Sequence, residues 1–180
     1  MSTVRITIID EKNAIDRVNK ILANVPGGVQ QAITSASKRA GDKGKSKAGT
    51  FIAERYTLSK GSFMAKTKTR LTIHDGFTLD FTGGVISLRR FKVKDMFPNG
   101  VFAFVKKSEG GGTLPHAFTG PNGHVFERTG LSRLPIEKLS GPAGASMMKD
   151  EGIIEDMSKL IEEEFEKRME VEINRILAGI

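Results

Sequence analysis

The chain has no cysteine among its 180 residues. That excludes disulfides, thiolate-bound zinc and thiol catalysis, and it leaves the redox compartment open. No segment approaches the roughly 20 apolar residues that span a bilayer, so no membrane partner is expected. Met1 to Asp10 carries one arginine and an apolar run too short for a signal-peptide core. The expectation is a protein made and used in a cytoplasm, or released by lysis rather than secretion.

Catalytic and metal-binding patterns are also missing. The three histidines, His74, His116 and His124, show no helical ligand spacing and have no cysteine to complete a site. His116 and His124 can face each other across a hairpin, which is two ligands without a third. Asp75, Asp80, Asp95 and Glu127 are scattered through the middle of the chain, without the pairing that tuned acid–base chemistry needs. No serine sits in a nucleophile-elbow context. Gly44-Lys45-Ser46 resembles the end of a phosphate-binding loop, but Arg39 stands where its first glycine belongs and the flanks look helical. The chain is therefore expected not to be an enzyme, with no catalytic residue, metal or cofactor.

What is present begins with a β-rich middle, roughly Arg70 to Arg128. Phe77, Leu79 and Phe81 alternate with Thr78, Asp80 and Thr82, which gives one apolar and one polar face. Phe91 and Val93 alternate with Lys92 and Lys94 in the same way. Val101 to Val105 is an unbroken apolar run and reads as a strand covered on both faces. His116 to Thr119 and His124 to Arg128 flank Gly120-Pro121-Asn122-Gly123. Proline presets φ there, asparagine tolerates the next position and glycine closes the turn, so a hairpin is predicted. The loop Ser108 to Thr113, with Gly110 to Gly112, reads as a mobile insertion, Ile136 to Leu139 as a closing strand, and Gly141 to Gly144 as a break.

Helical patterns lie on both sides. After a short strand over Val4 to Ile9, Asp10 is the expected N-cap of a helix to about Ala23, with Ala14, Ile15, Val18, Ile21 and Leu22 on one face. Val25-Pro26-Gly27-Gly28 ends it. A second helix is predicted from Val29 to Tyr56, weakened by Gly41, Gly44 and Gly49 but suited to close packing through Ser35, Ala36, Ser37 and Ala40. Ser59 to Ala65 reads as a short helical turn. Ala145 to Ala178 reads as one long helix, with Ile153, Ile154, Met157, Leu160, Ile161, Phe165, Met169, Ile173, Ile176 and Leu177 at helical spacing. Glu163–Lys167 and Glu164–Arg168 are supporting pairs on it. The expected fold is α+β: one domain over residues 1–180, with N-terminal helices over about 10–66 and a C-terminal helix over about 145–178. These pack on a central, mostly antiparallel sheet over about 70–140. A chain of this length buries roughly 70% of its unfolded surface.

Charge is segregated within a net +7. Residues 1–149 hold 24 Lys and Arg against 11 Asp and Glu, whereas residues 150–172 hold 3 against 10. The basic run comprises Lys38, Arg39, Lys43, Lys45, Lys47, Arg55, Lys60, Lys66, Lys68 and Arg70. Of these, Lys38, Arg39, Lys43, Lys45, Lys47, Lys66, Lys68 and Arg70 are the candidate interaction residues. Nucleic-acid phosphate is one partner for them. Only Phe51, Tyr56 and Phe63 are interleaved as stacking platforms, however, and an acidic neighbour such as the C-terminal helix of an adjacent copy explains the charge equally well.

Several stretches taken in order resemble a known family. They are Val25-Pro26-Gly27-Gly28 with the following helix through Gly41, Tyr56-Thr57-Leu58-Ser59-Lys60, Gly84-Val85-Ile86-Ser87-Leu88, Phe118 through Gly123 to Glu127-Arg128, and Leu134 to Pro142. Together they resemble the minor tail protein Z family of phages and prophages, the tail completion proteins of lambda-like phages. The resemblance implies a virion structural protein with no catalytic residues to carry over. It implies a homo-oligomer, a ring about the tail axis at the head-proximal end, touching tube, terminator or neck proteins and assembled in the host cytoplasm. Genome DNA passing along the tail lumen is a further partner it implies, through non-specific contact. A tail terminator that caps the tube is the alternative within this class, and a small basic nucleic-acid-binding protein the alternative outside it.

Overall fold

One helix shows most directly how the sequence builds this fold. The computed structural model describes residues 2–8, 14–74, 76–130 and 132–179, and within it α2 runs from Gly28 to Arg55. Every fourth residue from Gly28 to Tyr56 is buried, and through Ala48 each of them is glycine or alanine. At about 100° per residue, a row of pure four-residue steps winds about 40° per step round the helix. The row therefore meets a different neighbour at each level. A Cβ added at Gly28 would lie 3.4 Å from Ile176 and one at Gly44 2.9 Å from Ile161 and 3.0 Å from Leu79, while beside the row one at Gly41 would lie 2.7 Å from Leu71. Further along, a Cβ at Gly49 would lie 2.6 Å from the Lys60 side chain.

The facing row is large where this one is small. Helix α5, Glu151–Leu177, buries Ile153, Met157, Ile161, Phe165, Met169 and Ile173, again at four-residue steps. Gly28 meets Ile176 and Gly44 meets Ile161, so positions rise on α2 as they fall on α5. The two helices run antiparallel, with the glycine and alanine row admitting the bulky one.

The α+β class is as the sequence predicts, with antiparallel pairing and a long C-terminal helix. The strands are shared among four small sheets rather than joined in one central sheet. In the first, β3 (Gly76–Gly83) lies between β1 (Ser2–Ile8) and β2 (Thr67–His74). Leu79 and Phe81 of β3 are fully buried, as the alternation predicts. The second sheet orders β5 (Lys92–Asp95), β6 (Val101–Phe104) and β7 (Gly112–Leu114). The third orders β10 (Ile136–Lys138), β9 (Val125–Arg128) and β8 (Ala117–Thr119). The fourth pairs β11 (Ser140–Ala143) with β4 (Val85–Ser87).

The remaining helices are short. Helix α1 spans Ala14–Ile21 and buries Val18, with Leu22 buried just beyond it; Ile21 is exposed, and the expected N-cap Asp10 lies outside the described residues. In α3, Lys60–Met64, the Ser59 hydroxyl accepts from the Ser62 amide at 3.2 Å. Helix α4 covers Gly144–Met147.

Four expectations are corrected. The C-terminal helix is not continuous: α4 stops, Asp150 leaves the helical conformation with ψ 121°, and its carbonyl accepts from Ile153 and Ile154 to start α5. Aspartate favours such a cap over a helix interior. The Gly141 to Gly144 segment is mostly strand β11, and its register against β4 shifts between Ser140 and Ala143, where Pro142 is accommodated. The glycine insertion is a hairpin turn, because Gly112 and Thr113 pair with Ala103 and Phe102. Gly111 is required there: φ is +82° and an added Cβ would lie 2.7 Å from the Phe102 ring. Finally, Val101 and Ala103 are buried while Phe102 and Phe104 are half-buried, so β6 is covered fully on one face only.

The chain forms two compact units, each drawn from separate segments. One holds residues 1–3, 49–68 and 82–148, the other residues 4–48, 69–81 and 149–180. In the first, the end of α2 is anchored by Lys107, whose amide donates to the Arg55 carbonyl at 2.8 Å and whose Nζ donates to that of Ala53 at 2.8 Å. A cation on the last carbonyls of a helix meets its negative end.

The small-residue row is directly testable. We expect Gly44→Val to destabilise by about 1–3 kcal/mol, because it overpacks Ile161 and Leu79. Gly61→Ala, with nothing within 4 Å of the new methyl, should be neutral or stabilising by up to about 1 kcal/mol. Urea unfolding of both variants checks the pair.

Candidate functional site

The basic run does not form one patch. On α2, Arg39, Lys43 and Lys47 are exposed, each one position before a buried residue of the row. They therefore form a cationic line of three along one flank of the helix. Lys38 is exposed on another side, and Lys45 is half-buried with its Nζ 3.6 Å from Asp42. Lys66, Lys68 and Arg70 belong to the strand region, where Lys68 and Arg70 share the exposed face of β2. Gly44-Lys45-Ser46 lies inside α2, so no phosphate-binding loop exists there.

Part of the opposite charge meets this run inside the chain. Arg168 Nε donates to Glu164 at 2.9 Å, the i,i+4 pair expected on α5. That hydrogen bond, against the cost of partial burial, holds the Glu164 carboxyl below the usual carboxylate range, with further contributions from Lys43 and Lys167. Lys43 of the cationic line thus already sits in the field of α5. Glu155, Asp156, Glu163 and Glu170 remain exposed on α5. Arg17 of α1 reaches Glu170 at 3.3 Å across a groove that Ala14, Glu166, Met169 and Ile173 line. The groove continues past Ile21 and Leu177, both exposed apolar residues. Glu172 is buried, and its Oε2 lies 3.2 Å from Arg175 NH1 without hydrogen-bond alignment.

A third surface was not singled out from the sequence. In the third sheet, Phe118 pairs with Phe126, Lys138 pairs with Phe126 and Ile136 pairs with Arg128. Strand alternation puts all five side chains on one face, and Val125, Glu127 and Glu137 on the other. On the first face the Phe118 and Phe126 rings stack at 6.0 Å, and the Arg128 guanidinium lies over Phe118, 4.9 Å from the ring centre. His124 meets Phe126 edge-on at 6.3 Å. Phe118 and Arg128 also line an open cleft of about 670 Å³ with His116, Phe97 and Asp95. Asp95 is engaged, accepting from the Phe97 amide at 3.1 Å, while the Phe97 side chain is 91% exposed.

The predicted turn supports this surface. Asn122 adopts φ +63° and Gly123 φ +69°, and the Gly120 amide donates to the His124 carbonyl at 2.8 Å. Arg89 NH1 holds the turn through the Asn122 carbonyl at 3.0 Å. His116 and His124 lie at opposite ends of the hairpin and do not face each other, because Ala117 pairs with Glu127 and Thr119 with Val125. His124 Nδ1 instead lies 3.2 Å from Ser87 Oγ. Desolvation lowers the His124 pKa from its ordinary value, and the nearby cations Arg89 and Lys138 lower it further. No carboxylate orients this imidazole among the described residues, which also contain no group of three His, Cys, Asp or Glu able to hold a metal. The side chain of His74 and all of Asp75 lie outside them.

The fold favours neutral His124, so its contribution to stability is present above the ordinary histidine value of about 6.5 and is lost as pH falls below it. We expect Arg89→Gln and Lys138→Gln each to raise the His124 midpoint part of the way to that value. An NMR titration of the ring protons measures it, and an unmoved midpoint in both variants would show that the two cations do not converge on His124.

Comparison of the chain with protein-family models, with curated proteins and with solved structures finds no match.

Proposed function

We propose that this protein is a structural subunit of a phage or prophage tail that completes the head-proximal end and joins it to the neck as an oligomeric ring. It acts through surfaces and carries no catalytic residue. A ring needs one patch to meet a different patch on the next copy. The observation that carries this reading is the presence of two unlike patches on one chain: the cationic line Arg39, Lys43 and Lys47 on α2, and the acidic flank of α5 beside the exposed Ile21 and Leu177. Exposed apolar residues rimmed by charge are a common mark of a protein–protein contact.

The resemblance to the minor tail protein Z family supports the same reading, and the residues that carry it occupy turning points of the fold. Gly27 takes φ +73° ahead of α2, Ser59 caps α3, and Ile86 to Leu88 and Leu134 to Pro142 contribute to the two sheets around the predicted hairpin.

Two measurements test the proposal. Electron microscopy of particles from a host lacking only this gene should show tails of normal length that fail to join heads or join without infectivity. Overlong or ragged tails would assign the terminator role instead, and normal infectious particles would remove the tail reading. In parallel, Arg39→Glu, Lys43→Glu and Lys47→Glu together should abolish incorporation into tails while leaving the thermal melt nearly unchanged. Glu163→Lys with Glu170→Lys should restore it in part. Unchanged incorporation at low salt would remove this pair of patches from the interface.

A further inference from the structure

The β8–β9–β10 face has a composition that neither the cationic line nor the acidic helix shares. Its aromatic rings form a layered pile of Phe126, Phe118 and the Arg128 guanidinium, with His124 against one edge. Lys138 stands opposite Phe126 on the same face, and Arg89 reaches the adjoining turn. The two carboxylates of these strands, Glu127 and Glu137, alternate onto the opposite face. Three cations therefore lie about the rings, and Asp95, which lines the adjoining cleft, accepts from the Phe97 amide at 3.1 Å. Arg89 at the Asn122 turn and Lys138 opposite Phe126 lie toward the His124 end of the pile, where Ser87 Oγ and the imidazole provide polar groups 3.2 Å apart.

We infer that the more exposed face of the β8–β9–β10 sheet binds single-stranded nucleic acid without sequence preference. Its phosphates meet Arg89, Lys138 and Arg128, and its bases stack on the pile of Phe118, Phe126 and Arg128. The chemistry selects this ligand on two counts. Aromatic rings on an open sheet offer flat faces to unpaired bases, which a duplex keeps stacked on one another. An unneutralised cluster of arginine and lysine attracts a regular polyanion and gains by releasing its counterions. The cleft bounded by Phe97, His116 and Arg128, which Asp95 also lines, adjoins Phe118 at the far end of the track. This inference does not depend on the tail reading, because it uses neither α2 nor α5.

The test is fluorescence anisotropy of the full chain with a labelled oligothymidylate of roughly 15 nucleotides. Binding should weaken with salt at a log–log slope of about −2, the value for three phosphates on a single strand. Phe118→Leu should weaken binding by roughly 5- to 150-fold, the range for loss of one base stack. The exposed pair Arg89→Gln and Lys138→Gln, which leaves the apolar contacts intact, should weaken binding and flatten the slope to about −0.7. Arg39→Gln, Lys43→Gln and Lys47→Gln together should change neither. No binding at low salt would overturn the inference. So would tighter binding to duplex than to the oligothymidylate, or a loss from the α2 variant equal to that from the sheet variants. Competition by polyglutamate as effective as by unlabelled oligothymidylate would overturn it in favour of an acidic protein partner.

Discussion

The close approach of α2 to its neighbours is the constraint on which the rest of the structure depends. Glycine in a helix interior costs up to about 1 kcal/mol relative to alanine, and α2 carries several. The cost is offset because each missing side chain is space that another residue fills: Ile161 and Leu79 at Gly44, Leu71 at Gly41, Ile176 beside Gly28. A helix of 28 residues, about 42 Å long, owes most of its order to such packing rather than to propensity. The helix presents more than one packed flank: Gly44 of the row meets Ile161 and Leu79, while Gly49, five residues on and off the row, meets Lys60.

Much of this was legible in the sequence, where local rules decide. The bounds of α2, the short helix after Ser59, the alternation of Leu79 and Phe81, the Gly120 to Gly123 turn and the strand at Ile136 all follow from spacing and turn chemistry. The buried row of α2 is offset from the one that large apolar residues suggest. Val29, Ile33 and Phe51 are only half-buried, while Gly28, Ala32 and Gly44 are fully covered. A search for small residues at every fourth position would have found it. The interruption before α5 was hidden because Ala145, Met147 and Met148 continue an apolar helical pattern across it, although they are buried in the other unit. The aromatic face was hidden for another reason. Phe118, Phe126, Arg128 and Lys138 come together only through strand register, and Arg89 joins them only through its hydrogen bond to the Asn122 carbonyl, so none of them is marked by sequence spacing.

Charge serves different ends in different places. Arg17–Glu170 is an ion pair between two well-exposed partners and contributes little to stability, whereas Arg5 reaches the mostly covered Asp80. The pair formed by Arg168 and the mostly covered Glu164 is more sheltered, and it shares its field with Lys43, which ties the electrostatics of α2 and α5 together within one unit. The segregation seen along the sequence is thus partly cancelled by folding. The sheet cations are the exception, since Arg89, Arg128 and Lys138 are drawn to one face and their acidic neighbours alternate away from it.

The way the chain passes between its two units has a consequence for its synthesis. The unit containing α5 also contains most of β1, α1 and the first part of α2, so its earliest and latest residues are packed into one core. On a ribosome the glycine and alanine row of α2 emerges long before the bulky side chains that cover it. Until α5 follows, that row is a nearly bare backbone surface with no large side chains of its own to shield. The nascent chain must hold this surface uncovered through the whole β region, so its completion is a late and cooperative event.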